Sequence, residues 1–196
     1  MMIRVTPKLC ASAAALMLCV SGSAIAQDGP TTTYKFGGYA KFDAMFTDYS
    51  SGNTPDGNSL MRQFYYTPQI PLDVPGLSSN DITADFQARE TRINFRADTK
   101  TAGGDSITAF IETDFFIHGD GNEVVSNSYS PRLRHAFIKY NKWTFGQTWS
   151  TFQDVASLPE ALDFVGPAES TTFIRQAMIR YTTGGLELAA ENPQTF

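Results

Sequence analysis

The sequence predicts an all-β protein: an antiparallel transmembrane β-barrel of which only about seven N-terminal strands are present. Three observations support this fold class. Apolar residues recur with a period of two, rather than the helical period of 3.6, along most of the chain after residue 26. The connections between these segments alternate between long and short, as they do in barrels that span a membrane. An export signal precedes the first of the predicted strands.

Residues 1–26 have the features of a secretory signal peptide. Arg4 and Lys8 precede an apolar run at residues 9–20, and Ala24-Ile25-Ala26 supplies a small-residue cleavage site. The apolar run is too short to cross a membrane as a helix, which needs about 20 apolar residues. We therefore expect this segment to be removed on export, leaving the partial barrel in the remaining residues.

The exported segment, residues 27–196, contains no cysteine, because Cys10 and Cys19 both fall within the signal. A disulfide and a thiolate metal site are therefore excluded there. The formal net charge of −5 for the whole chain becomes −7 once the two signal cations are removed. An acidic chain does not offer the basic surface that a nucleic acid requires, so we expect no nucleic-acid partner.

The first predicted strand, Tyr34–Phe46, shows the alternation most clearly. Its even positions carry mainly phenylalanine and alanine, whereas lysine, tyrosine and aspartate occupy the odd positions. Its length is near the 9–11 residues that cross a bilayer at a tilt. In the last four of the further strands the alternation is weaker and leaves their facing open. The six further predicted strands are 85–97, 106–117, 132–140, 143–148, 173–182 and 186–191.

The connections between the predicted strands alternate strictly in length. Long polar segments follow the first, third and fifth strands, at residues 47–83, 118–130 and 149–172. Short turns follow the second, fourth and sixth strands, at Gly103-Gly104, Asn141-Lys142 and Gly184-Gly185. Outer-membrane barrels have long outer loops and short periplasmic turns in this alternation. Seven strands cannot close a barrel, because lipid tolerates no unpaired backbone edge, so we expect the N-terminal portion of a longer barrel.

Four segments carry a resemblance to a known family. They are Ala88–Arg96, Pro131–Tyr140, Trp143–Phe152 and Phe173–Thr182, and the run Gly146-Gln-Thr-Trp-Ser150 is the most specific part. In these segments the chain resembles the DcaP-like family of trimeric outer-membrane transporters. The resemblance implies a barrel of the porin type with about 16 strands, assembled as a homotrimer in which each subunit has its own channel. It also implies that small anionic solutes are the substrates.

The resemblance to porins further implies that the third long connection, about 149–172, folds into the channel and narrows it. Arginines on the opposite wall would then face the acidic residues of this connection, and the resulting field would select solutes by charge. A second interpretation is that the wall arginines pair with wall acids and stabilise the strands, and that the acids of the connection are only solvated. Strict alternation places Arg132 and Arg134 on the face of Ala136 and Ile138, which leaves their direction open. The candidate wall residues are Arg92, Arg96, Glu112, Asp114, Arg132, Arg134, Arg175 and Arg180, and those of the connection are Asp154, Glu160, Asp163 and Glu169.

The sequence and this resemblance therefore predict a bacterial outer-membrane porin for the diffusion of small hydrophilic, anionic solutes, with membrane lipid and two further copies of itself as partners. The alternative is a non-transporting outer-membrane or secreted β-protein, such as an adhesin. We expect no enzyme, because neither His118 nor His135 stands in the context of a nucleophile–base pair. No catalytic residue, cofactor or metal site is predicted.

Overall fold

The computed structural model describes residues 16–17, 20–22, 29–49, 82–117, 129–157 and 174–192. Within these ranges the chain forms eleven β-strands and one short 3-10 helix, Val155–Ser157, and every strand pair is antiparallel. None of the helical structure in these ranges is long and apolar enough to span a membrane. The strands are β1 (Leu16–Met17), β2 (Val20–Gly22), β3 (Thr31–Ala40), β4 (Asp43–Thr47), β5 (Thr83–Gln87), β6 (Arg92–Lys100), β7 (Ser106–Asp114), β8 (Arg132–Tyr140), β9 (Trp143–Trp149), β10 (Arg175–Thr183) and β11 (Leu186–Glu191).

The main sheet is an open antiparallel meander. Its strands follow the order β3-β6-β7-β8-β9-β10-β11, and β4 pairs with β5 in a separate two-stranded sheet. The short strands β1 and β2 both pair with the other edge of β3. They lie inside the segment predicted to be a signal peptide. The predicted antiparallel fold class is confirmed, and the described strands form an unclosed sheet rather than a complete barrel.

The first two predicted strands are each broken in two. The ladder between β3 and β6 ends at the pair Tyr39 and Arg92, and the ladder between β4 and β5 resumes at Asp43 and Gln87. Three residues lie between the ladders on the first strand and four on the second, so the second strand carries one extra residue. An unequal count of this kind interrupts pairing locally and redirects side chains, as a β-bulge does.

The three predicted short turns are confirmed. They join β6 to β7, β8 to β9 and β10 to β11, so all three lie at one end of the sheet and the long connections lie at the other. Gly184 and Gly185 have φ values of 53° and 85°, the positive values that a two-residue hairpin turn needs at both positions.

Two of these short turns are joined by hydrogen bonds around Asp105. The carboxylate of Asp105 accepts hydrogen bonds from Asn141 Nδ2 at 2.8 Å and from the Tyr140 hydroxyl at 2.9 Å. These two bonds, first from Asn141 and then from Tyr140, lower the pKa of the Asp105 carboxyl below its usual value. Because these bonds favour the ionised form of Asp105, they stabilise the two turns at neutral pH. This stabilisation is lost as the pH falls through the lowered pKa of Asp105.

The two faces of the main sheet differ sharply in composition. We call one the apolar face: it presents large apolar side chains that are between 41% and 59% exposed. The opposite side, the polar face, carries most of the charged side chains of the strands. Residues that pair directly across strands share a face, so the register assigns each residue to one side. The apolar face includes Phe36, Ile93, Ile111, Ile138, Phe145, Ile179 and Leu188, and the polar face includes Lys35, Arg92, Arg96, Asp98, Thr108, Glu112, Lys139 and Arg180.

Candidate functional site

A β-bulge in β8 determines where its two arginines point. Glu112 pairs with His135, but the next residue of β7, Thr113, pairs with Leu133, so Arg134 is an extra residue. The shift moves Arg132 to the polar face, opposite Asp114, while Ala136 and Ile138 remain on the apolar face. The expectation that these arginines share a face with Ala136 and Ile138 is therefore wrong, because alternation cannot register an inserted residue.

The bulge assembles a buried cluster of two arginines and two acids, which we call the bulge cluster: Glu112, Asp114, Arg132 and Arg134. Arg132 donates to both carboxylate oxygens of Asp114, at 2.8 and 2.6 Å. Arg134 donates from Nε to Glu112 at 2.8 Å and from Nη1 to Asp114 at 2.9 Å. Asp114 is fully buried and Arg134 is only 3% exposed. Paired and forked contacts of this kind hold each guanidinium in one orientation.

A second charged cluster occupies the break between β5 and β6. Glu90 is buried and accepts a hydrogen bond from the Tyr39 hydroxyl at 3.2 Å. Lys41 forms a close ion pair with the same carboxylate, and Arg92 Nη2 lies 3.6 Å from it. The Arg92 guanidinium also lies 5.3 Å from the centre of the Tyr39 ring. Glu90 was not among the candidate residues, although alternation already places it on the face of Arg92, two residues further along the chain.

Two other predicted arginines form pairs toward the short-turn half of the polar face. Arg96 Nε donates to Asp98 at 2.8 Å, and Asp98 also accepts from Thr108 at 2.7 Å. Arg180 lies 3.9 Å from Glu187 across the β10–β11 hairpin. These pairs are more exposed than the bulge cluster, since the side chains of Arg96 and Asp98 are 48% and 29% exposed.

The last predicted arginine, Arg175, lies at the long-connection end of β10. Its guanidinium stacks 4.6 Å from the centre of the Trp149 ring. It lies within range of electrostatic interaction with Arg134, Arg132 and Asp114. Its Nη1 atom is buried and has no hydrogen-bond partner within the described ranges. In the register Arg175 pairs with Trp149 and alternates with Ala177 and Ile179, so the register places it on the apolar side of the sheet, at the end of β10.

The run Gly146–Ser150 surrounds the bulge, and each of its residues has a contact. Gln147 Nε2 donates to the carbonyl oxygens of Leu133 and Arg134, at 3.2 and 3.3 Å, and so satisfies carbonyls beside the bulge. Thr148 hydrogen bonds to His135 at 3.1 Å. The ring of Trp149 meets the His135 ring at 5.4 Å in an edge-on contact. These contacts fix the β8–β9 hairpin around the bulge.

Gly146 allows the close approach of β8 and β9 at this point. Its φ is 122°, and a Cβ atom there would lie 2.3 Å from the carbonyl oxygen of Ala136. No residue with a side chain fits this position without moving the backbone of β8.

Of the four acidic residues predicted in the third long connection, only Asp154 lies in the described ranges. Its side chain is exposed, and its Oδ1 accepts from the Ala156 N–H at 3.0 Å at the start of the short 3-10 helix. Glu160, Asp163 and Glu169 lie outside the described residues, so their facing toward the arginines remains a prediction. The described ranges contain no group of three or more potential metal ligands.

Comparison with known proteins identifies the family. The model of the family described as DcaP outer membrane protein matches residues 21–184. The chain belongs to this family. No curated protein matched the chain. Among solved structures, the chain is similar to the crystal structure of the outer membrane channel DcaP of Acinetobacter baumannii. The two are 24% identical with a TM-score of 0.54, and the match covers 88% of this chain and 44% of that one.

Membership of the DcaP family confirms the predicted location in the bacterial outer membrane. The chain spans less than half the length of the Acinetobacter baumannii channel. This agrees with a sheet that the described strands leave open. In a membrane, exposed Phe36, Ile111 and Ile179 have a natural environment in the lipid, because apolar strand faces meet lipid in β-barrels.

Proposed function

We propose that this chain forms part of the wall of an outer-membrane channel, through which small hydrophilic, anionic solutes diffuse. The observation that carries the proposal is the contrast between the two faces of one sheet. Large apolar residues are exposed on one side, and nearly all the strand charges lie on the other. A wall between lipid and a water-filled interior requires this contrast, because a charge facing lipid costs about 2–4 kcal/mol at mid-depth.

The balance of charge on the polar face supports anionic solutes. Although the chain as a whole is acidic, basic residues outnumber acidic ones on the polar face of the strands β3 and β6–β11 that form the main sheet. Fixed cations that line a channel favour the entry of anions. The basic residues are Lys35, Arg92, Arg96, Lys100, Arg132, Arg134, Lys139 and Arg180, and the acidic ones are Asp98, Glu112, Asp114, Glu187 and Glu191.

The ion pairs bear on the two interpretations of the wall arginines, which are selection of solutes by charge and stabilisation of the strands. Arg132 and Arg134 pair with wall acids, as the structural interpretation expects. Pairing does not remove the charge of a guanidinium, because an arginine stays protonated at all practical pH. We propose that the pairs hold the guanidinium groups in fixed positions, and that their charges act on a passing solute through the electric field along the wall.

Further parts of the proposal concern processing and assembly. We propose that residues 1–26 are removed on export and that residues 27–196 build the wall. Removal would free the edge of β3 that β1 and β2 occupy, and a barrel needs that edge to pair with another strand. A homotrimer, with lipid around it and an inward connection at about 149–172, follows from the resemblance and remains part of the proposal.

The test is ion selectivity in a planar bilayer, measured on the protein purified from outer membranes. We expect stepwise conductance with a preference for anions, and we expect Arg92→Gln and Arg134→Gln to reduce that preference. Lys142→Gln is a matched control, because it removes one cation from a short turn, away from the clusters. Heat-modifiable migration on a gel shows that each variant has folded as a barrel.

Two results would count against the proposal. Unchanged selectivity in both folded arginine variants would exclude these residues as determinants of anion passage. A folded barrel that never conducts would favour the alternative, a non-transporting outer-membrane protein. We propose no covalent chemistry, since His135 and Thr148 are each only 7% exposed and lie out of reach of a solute.

A further inference from the structure

The connection that follows β9 begins with a tight turn directly after the strand. Ser150 still extends the β9–β10 ladder, because its N–H donates to the carbonyl of Ile174 at 3.1 Å. The chain then makes a tight turn, in which the N–H of Gln153 donates to the carbonyl of Ser150 at 3.0 Å. Ser150 is only 7% exposed, whereas Phe152, two residues further, is 97% exposed.

The turn is held by a residue from a strand that is not its neighbour. Glu191, the last residue of β11, accepts a hydrogen bond from the Ser150 hydroxyl at 2.7 Å. Its other oxygen accepts from the Thr151 N–H, also at 2.7 Å. Both distances are short, as expected for bonds to an ionised carboxylate.

The position of β10 shows the path that the connection takes. β10 lies between β9 and β11 in the sheet, so β9 and β11 are roughly 10 Å apart. Glu191 pairs with Met178, which pairs with Gly146, and this row belongs to the polar face. The contact between the turn and the Glu191 carboxylate must therefore pass over β10 on the polar face.

We propose that Glu191 is the residue that anchors the third long connection over the polar face. The inference rests on the proposed function, because the polar face is the inner wall of the channel only if the protein is a channel. Within that function Glu191 is a positioning residue: it touches no solute but fixes where the connection enters the interior. Its loss would leave the described part of the connection, residues 150–157, tied to the sheet through the backbone of Ser150.

Chymotrypsin cleavage after Phe152 measures the anchor directly, because this exposed aromatic residue follows the anchored pair. A hydrogen bond to a charged group is worth enough to shift a local opening equilibrium about tenfold. We expect Glu191→Ala to accelerate cleavage of the bond between Phe152 and Gln153 by roughly tenfold, as followed by mass spectrometry of the folded protein. Glu191→Gln keeps an oxygen acceptor and should accelerate cleavage less.

Glu187→Ala is the matched control, because it removes the same side chain from the same strand and face, near the short turn. It should leave cleavage after Phe152 unchanged. Equal cleavage rates in wild type, Glu191→Ala and Glu187→Ala would overturn the proposal. If Glu191→Ala fails to fold, Ser150→Ala removes one of the two anchoring bonds, and an unchanged rate there overturns it equally.

Single-channel recording separates this inference from the proposed function. With an anchored connection, Glu191→Ala should increase brief closures and widen the distribution of open currents relative to wild type and Glu187→Ala. A conducting wild type with an identical Glu191→Ala record would overturn the anchoring role and leave the channel intact. If Glu191→Ala is cleaved faster than wild type but neither protein conducts, the anchoring role of Glu191 is supported and the proposed channel function is contradicted.

Discussion

Asp114 is the residue on which the bulge cluster depends. It is fully buried and receives three hydrogen bonds from guanidinium groups, two from Arg132 and one from Arg134. Two guanidinium groups of like charge can lie side by side only because an ionised carboxylate stands between them. Removal of one partner from a buried ion pair is costly, because the other charge stays buried without compensation.

We therefore predict that Asp114→Asn lowers the free energy of unfolding by about 3–5 kcal/mol, measured by urea titration in lipid vesicles. Asp98→Asn is the control, since the side chain of Asp98 is 29% exposed and its ion pairs are correspondingly weak. That substitution should cost about 1 kcal/mol or less. Equal losses in the two variants would show that the bulge cluster is no more than a surface ion pair.

At the residue scale, the sequence identified the correct residue types but not their partners. Arg92, Glu112 and Asp114 were assigned to one polar face by alternation alone, and the register bears this out. The pairing of Arg132 with Asp114 was not predictable, because it depends on the inserted Arg134. Alternation placed Glu90 on the face of Arg92, but its contacts with Tyr39 and Lys41 depend on the pairing of two strands.

At the scale of the element, β8 and β9 form a hairpin whose irregularities are coupled. The bulge at Arg134 leaves carbonyls that Gln147 satisfies from the next strand. Gly146 lets that strand approach closely, and Thr148 meets the inward-turned His135. The boundaries of these two strands, to within one residue, and the tight turn between them were readable from sequence, whereas this coupling is a property of two strands together.

We predict that Gly146→Ala destabilises the protein more than Gly104→Ala does. Both glycines have positive φ, so a side chain at either should cost about 1–3 kcal/mol of backbone strain. Only at Gly146 does the added Cβ also collide with the β8 backbone, and at Gly104 nothing lies within 4 Å. The temperature at which heat-modifiable migration is lost measures the difference, and a smaller drop for Gly146→Ala would contradict the close approach.

At the scale of the whole molecule, the separation of the two faces is the property that links the sequence to a location in the outer membrane. The alternating pattern and the alternating connection lengths were sufficient to predict it. The course of the third long connection was predicted only through resemblance. Its first turn is now defined by Glu191, whose role no local pattern could reveal, because its partners Ser150 and Thr151 lie about 40 residues earlier in the chain.

The central claim is that the polar face meets water and the apolar face meets lipid, and cysteine labelling along β10 tests it most directly. Both natural cysteines lie in residues 1–26, so the unsubstituted protein serves as the background. With a charged, water-soluble thiol reagent applied to the protein in lipid vesicles, we predict labelling of Gln176→Cys and Thr182→Cys, and protection of Ala177→Cys and Ile179→Cys. Labelling of the second pair with protection of the first would contradict the account, because it would place the charged side of the sheet away from water.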